Sequence, residues 1–193
     1  YKVIFSLVAV QETYTSPLTK MDLCIHIGEI SAEYGSVGMP KKEVWRVSED
    51  GEIRDQFNAL SYIFEMTESD FFRFYTIENA EPQEEYLKAC HEEYDRIFSR
   101  MPEMGFTNIW AASMIAPKLP NGSSLHLGIL NSVRSWNLFQ IPKSVTSFAN
   151  VGGFGIDGSI STVIGASLAN KNKLYFCIVG DLAFFYDMDS LGN

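Results

Sequence analysis

Three short stretches carry the residue types from which a binding site could be made. The first is Gly180-Asp181, at the end of the apolar run 174–180. An aspartate closing a buried strand is costly to desolvate unless it is paired or holds a cation. Hard cations such as Mg²⁺ take carboxylate and diphosphate oxygens together. An aspartate that only caps the next helix is the plainer alternative. The second stretch is "NVGGFGIDG", in which Gly153, Gly155 and Gly158 match GxGxxG between a strand-like and a helix-like segment. Such glycines let a pyrophosphate approach the backbone at a helix N-terminus, which admits nicotinamide or flavin binding beside a simple tight turn. The third is "NSVR", beginning at Asn131 and Ser132.

The elements around these stretches place all three at carboxyl ends of strands, where open α/β sheets bind ligands. The order is strand "SSLHLGIL", loop "NSVRSWNLFQIPKS", strand "VTSFA", loop "NVGGFGIDG", helix "SISTVIGASLAN" and strand "KLYFCIV". That spacing implies right-handed βαβ crossovers. A helix capped by Thr107 or Asn108 and ended at Pro117 precedes them. Upstream, near-continuous apolar runs at 2–10, 23–27, 43–47 and 62–66 read as strands covered on both faces. Between the two groups, Pro82, Glu84 and Glu85 open a helix with Leu87, Cys90, Tyr94 and Ile97 on its apolar face. The expected fold is α/β with three-layer α/β/α parallel sheets. A small central domain over 1–80 and a connecting helix over 81–104 lead into a second domain over 105–193.

Composition narrows the function. The chain has 193 residues, 46% of them hydrophobic, and a formal charge of −9. It carries no basic stripe to neutralise phosphates, which argues against nucleic-acid binding. The longest apolar run is far short of the roughly 20 residues a bilayer needs. Cys24, Cys90 and Cys177 are scattered, as are His26, His91 and His126, and none makes a zinc pattern. These six read as structural, in a reducing cytoplasm.

With these stretches side by side, the chain resembles the thiamine-diphosphate-dependent enzymes. "GDLAFFYDMDSLGN" is similar to the opening of that family's cofactor signature, and "NSVR…SFANVGGFGIDGSISTVIGASLA" to the part of the domain before it. "DLCIHIGEIS" and "EVWRVSEDGEIRD" resemble the family's central domain. The nearest branch is the menaquinone-pathway one, which adds 2-oxoglutarate to isochorismate. Val151 stands where that branch has arginine, and Gly153-Phe154 where it has Ala-Ser.

The resemblance implies thiamine diphosphate and Mg²⁺ as cofactors, a 2-oxo acid as substrate, and a homodimer or homotetramer. The parent enzyme would decarboxylate the 2-oxo acid and release or transfer the acyl carbanion. Asp181 would ligate Mg²⁺. Gly155 would present backbone to the aminopyrimidine, and Ile156 would hold the cofactor bent. Asn131 and Ser132 would lie near the diphosphate and substrate, with Gly180, Leu182 and Ala183 completing the cofactor contacts. No catalytic residue is expected within the chain, because the family's activating glutamate lies in an N-terminal pyrimidine-binding domain. Glu29, Glu33 and Glu43 do not replace it. A first residue of Tyr and an end at Asn193 suggest a fragment: the central domain plus the first part of the diphosphate domain. An acetolactate-synthase-like or other 2-oxo acid decarboxylase is the alternative within the family. A dinucleotide-dependent oxidoreductase and a non-catalytic interaction domain are the alternatives outside it.

Overall fold

A computed structural model describes residues 5–28, 39, 41–76, 84–151 and 155–192. The chain divides into two compact units, Tyr1–Arg100 and Met101–Asn193.

The first unit holds a parallel sheet ordered β1-β2-β3, from Met21–Ile27, Lys41–Val47 and Leu60–Phe64. Helix α1 covers Ser6–Ala9, α2 Glu68–Tyr75 and α3 Glu85–Phe98. Helix α2 starts where Thr67 accepts a hydrogen bond from the Asp70 amide at 3.1 Å, a local N-cap of the kind Thr-x-x-acid sequences favour. Its Phe71 is buried against Phe64 and Tyr75, with ring centroids 5.0 and 4.7 Å away. Trp45 joins the same layer beside Phe64 and Tyr75. Helix α3 buries Cys90, Tyr94 and Ile97, the stripe its spacing predicts. It packs against α1 inside the first unit instead of standing between two domains. The Glu93 carboxylate accepts from Tyr14 Oη at 2.7 Å and from Arg96 Nε at 2.8 Å, tying the segment after α1 to α3.

Two expectations fail here. The apolar run 2–10 predicts a strand, yet its described part forms α1, burying Leu7 and Val8. A short apolar run has no period long enough to separate a buried helical turn from a strand. Nor is β1 covered on both faces. Leu23, Ile25 and Ile27 are 39%, 39% and 41% exposed, because the aromatic layer of α2 reaches only β2 and β3.

The second unit holds a parallel sheet ordered β5-β4-β6, with β4 Ser124–Gly128 central, β5 Thr146–Asn150 and β6 Tyr175–Ile178. Every residue of β4 is buried. Helix α4, Asn108–Ile115, begins where Thr107 accepts from the Trp110 amide at 3.1 Å, and Pro117 lies in the 3₁₀ turn that ends it. Helix α5 covers Asn131–Trp136, so the expected "NSVR" loop is the first turn of a helix. Helices α6 (Ser159–Ala169) and α7 (Asp181–Tyr186) follow.

The strand order has a consequence. The chain steps from β4 to β5 on one side, then returns past β4 to β6 on the other. Right-handed crossovers put α5 and α6 on opposite faces. The strand order therefore reverses at β4, and open α/β sheets bind ligands outside the carboxyl ends of the strands at such a reversal.

Candidate functional site

All three candidate stretches lie at the carboxyl edge of the second sheet. Asn131 and Ser132 are the first two residues of α5, directly after β4. Asn131 is exposed and Ser132 buried. The residue launching them, Leu130, has φ 66° and ψ −123°, outside the regions open to a branched side chain. Backbone strain of this kind costs on the order of 1–3 kcal/mol and concentrates at ligand sites. No local sequence signal announces it.

Beyond β5, Gly153 and Phe154 lie outside the described residues, so the GxGxxG match is followed here from Gly155. A Cβ at Gly155 would fall 2.5 Å from Asp157 Oδ1, so this loop is closed by its own aspartate. Ile156 is half-buried. Gly158 is the N-cap of α6 with φ +83°, a left-handed position that favours glycine over the usual capping side chains. Val151 is half-buried, its amide donating to Ala149 O at 3.1 Å.

At the end of β6, Gly180 is the N-cap of α7 and Asp181 its first residue. The sequence argument from burial does not hold here: Asp181 is exposed, at the mouth of a strand that is itself only half-buried. Its Oδ1 accepts from the Leu182 amide at 2.8 Å. Gly180 has φ −71°, a backbone open to any residue, and a Cβ built on it meets nothing within 4 Å. Nothing among the described residues requires glycine at this position, and the space beside the exposed carboxylate is open. Ala183 is buried, while Leu182 is exposed.

These features fit a magnesium-bound diphosphate: an accessible carboxylate, open room next to it, and strand-end loops that converge on the same edge. They fit a dinucleotide less well. The N-terminus of α6 would have to seat the pyrophosphate, and it is already filled. Asp187 Oδ2 accepts from the amides of Ile160 and Ser161 at 2.6 and 2.8 Å and from Ser161 Oγ at 3.1 Å.

The histidine of this sheet, His126, is buried. His126 Nε2 lies 3.2 Å from Ser124 Oγ, with Phe148 and Tyr175 around the ring. Burial, reinforced by Lys173, pushes its pKa down. The cavity beside it, lined in part by Phe148, Asn150 and Thr162, measures about 30 Å³, room for roughly one water. Among the described residues no group of His, Cys, Asp and Glu is placed to hold a metal unaided, the cysteines are free thiols, and no helix is long and apolar enough to cross a membrane.

The second unit is thus a parallel α/β domain whose three candidate stretches follow the carboxyl ends of its strands. No protein-family model matches the chain, but individual curated proteins do. It is 35% identical over 161 residues to the 2-succinyl-5-enolpyruvyl-6-hydroxy-3-cyclohexene-1-carboxylate synthase of Bacteroides thetaiotaomicron, and 39% identical over 157 residues to that of Bacteroides fragilis. Each match takes in 80% of this chain and 27% of the relative. The synthase of Flavobacterium johnsoniae is 32% identical over 148 residues, 72% of this chain and 26% of its own length. The chain is homologous to these synthases over most of its length and spans about a quarter of theirs.

Proposed function

We propose that this chain forms the central and diphosphate-binding parts of a thiamine-diphosphate- and Mg²⁺-dependent enzyme. That enzyme would decarboxylate a 2-oxo acid and transfer the remaining acyl unit. The reaction favoured is that of the matched synthases, addition of 2-oxoglutarate to isochorismate in menaquinone biosynthesis. The carrying observation is the 39% identity to such a synthase across 80% of the chain.

When bound, thiamine diphosphate supplies a carbon nucleophile and electron sink at its thiazolium ring. The chain's own residues bind and orient it. Asp181 would hold Mg²⁺ against the diphosphate, and Gly180 leaves the room. Gly155 would offer backbone to the aminopyrimidine, and Ile156 would pack against the cofactor as a bulky apolar support. Asn131 and Ser132 would contact the diphosphate and substrate from the start of α5, and Leu182 and Ala183 would line the cofactor from α7. Val151, in place of the branch's arginine, removes a cation that would hold an acidic substrate. It supports a second reading, an acetolactate-synthase-like or other 2-oxo acid decarboxylase. The enzyme would act in the cytoplasm as a homodimer or homotetramer. The exposed Leu182, Phe185 and Tyr186 of α7 support burial against further protein.

The test is calorimetric titration of thiamine diphosphate with Mg²⁺ into the full-length gene product, with Asp181→Ala alongside. Saturable binding lost in the variant is the expected result. Turnover of 2-oxoglutarate against pyruvate then separates the two readings. A wild type that binds no thiamine diphosphate would overturn both.

A further inference from the structure

We propose that Asp187 is a positioning residue that latches two loops of the cofactor site together. The inference rests on the reading of this sheet edge as a thiamine-diphosphate site. It begins with a conflict at one position. Residue 158 must turn the chain through a left-handed conformation into α6, which selects glycine, and glycine brings no capping side chain. The amides of Ile160 and Ser161, the second and third residues of α6, would then lack a partner. The missing acceptor comes from 26 and 27 residues further on. Asp187 sits at the end of α7, its amide donating to Phe184 O at 3.3 Å. One oxygen of its carboxylate takes both α6 amides and the Ser161 hydroxyl.

A cap from residue 158 would have given α6 its acceptor without this carboxylate bridge to α7. A cap borrowed from α7 makes the position of Asp181, at the head of that helix, depend on the position of Gly155 and Ile156, just ahead of α6. The carboxylate is also a charge-assisted acceptor at the positive end of a helix, the stronger kind of hydrogen bond. Asp187 therefore acts on the cofactor through the two loops it joins and needs no contact with the cofactor itself. Outer partners of this type commonly change metal or ligand affinity by about 10- to 100-fold when removed.

The experiment compares Asp187→Ala, Asp187→Asn and Ser161→Ala in the full-length protein. It reads the Kd for thiamine diphosphate with Mg²⁺, the melting temperature without cofactor, and amide hydrogen exchange over 159–162 and 181–186. Asp187→Ala should raise Kd by about 10- to 100-fold and speed exchange in both segments. Asp187→Asn keeps an acceptor oxygen and should recover most of the affinity. Ser161→Ala, which removes one bond of three, should loosen both segments less. An Asp187→Ala variant that exchanges faster at 159–162 yet binds cofactor as the wild type does would overturn the proposal, leaving a helix cap. If Asp187→Ala fails to fold, unaltered exchange at 181–186 in Ser161→Ala overturns it instead. A wild type that binds no thiamine diphosphate would refute the cofactor reading separately, and the exchange at 181–186 would still decide whether the latch exists.

Discussion

The two sheets end differently at the same edge. At the carboxyl end of the first, a crevice of about 490 Å³ is lined by Gly28, Ser48, Asp50, Thr67 and their neighbours. Arg46, Ser48 and Asp50 among them are tied to one another. Arg46, fully buried on β2, donates to Gly28 O at 3.4 Å and Ser48 Oγ at 3.2 Å, and lies 3.5 Å from Asp50. Asp50 also accepts from Ser48 Oγ and the Glu52 amide and pairs with Arg54. The Ser48 hydroxyl, then the Glu52 amide and the two arginines, hold its carboxyl below the usual range against burial. At the carboxyl end of the second sheet, Asp181 has, among the described residues, only the amide of its own neighbour as partner. Strand order parallels the contrast, since β1-β2-β3 advances one way while β5-β4-β6 doubles back. An edge whose charges are satisfied from within serves stability; one whose charges stay open is suited to a ligand. Substitutions at the first edge should cost folding, and substitutions at the second should cost binding.

The largest effect on stability expected from this contrast is at Arg46. Arg46→Met keeps an apolar stem in the buried position and deletes the guanidinium. Removing one member of a fully buried ion pair costs about 3–5 kcal/mol. Asp50 is partly exposed and keeps Ser48, the Glu52 amide and Arg54, so the loss should stay at about 2–3 kcal/mol, the scale of hydrogen bonds to a charged group. Urea unfolding of the first unit's transition measures it. A midpoint matching the wild type would mean that this edge is not held from within.

Much of this contrast lies beyond local sequence. Strands at 23–27 and 43–47 and helix α3 were legible, because β-branched and aromatic runs or a sustained 3.6 period span them. The edge carrying Asn131, Gly155 and Asp181 was legible too, as each follows a strand-like run. The reversal of strand order at β4 was not, because strand order is set by packing across the whole unit. Helix α5 is only six residues long, too short to show a period. Helix α2 went unread because "ESDFFRFY" is so rich in aromatics that it resembles a strand. The strain at Leu130 and the reach of Asp187 to α6 are tertiary facts, with no signature inside any window a pattern search would use.

A smaller and pH-dependent effect is expected at Glu93, away from both edges. Arg96 donates two hydrogen bonds to its carboxylate. Those bonds, helped by the Tyr14 and Ser16 hydroxyls and opposed by burial, lower its pKa from 4.5 to about 2. A carboxyl that titrates below its unfolded value contributes stability above pH 4.5, and that contribution fades as pH falls toward 2. Glu93→Gln should therefore cost on the order of 1–2 kcal/mol at pH 7. The gap from wild type should close as pH falls through that window, followed by urea unfolding at stepped pH. A gap undiminished at pH 2 would assign the loss to packing of the glutamine instead of to charge.

The smallest stability effect should come from Gly155→Ala, at the open edge. The clash it creates is with Asp157 Oδ1, the tip of an exposed side chain that can turn into solvent. Resolving it should cost less than about 1 kcal/mol, the usual scale for a surface change. Turning Asp157 away does not restore the backbone surface that a methyl group covers, so the Kd for thiamine diphosphate with Mg²⁺ should rise even though the melting temperature barely moves. That split between binding and stability is the reverse of the one expected at Arg46. Should Gly155→Ala instead unfold the second unit while sparing affinity in the molecules that remain folded, the glycine would belong to the turn, and the boundary between an edge built for stability and an edge left open for a ligand would have to be moved past residue 155.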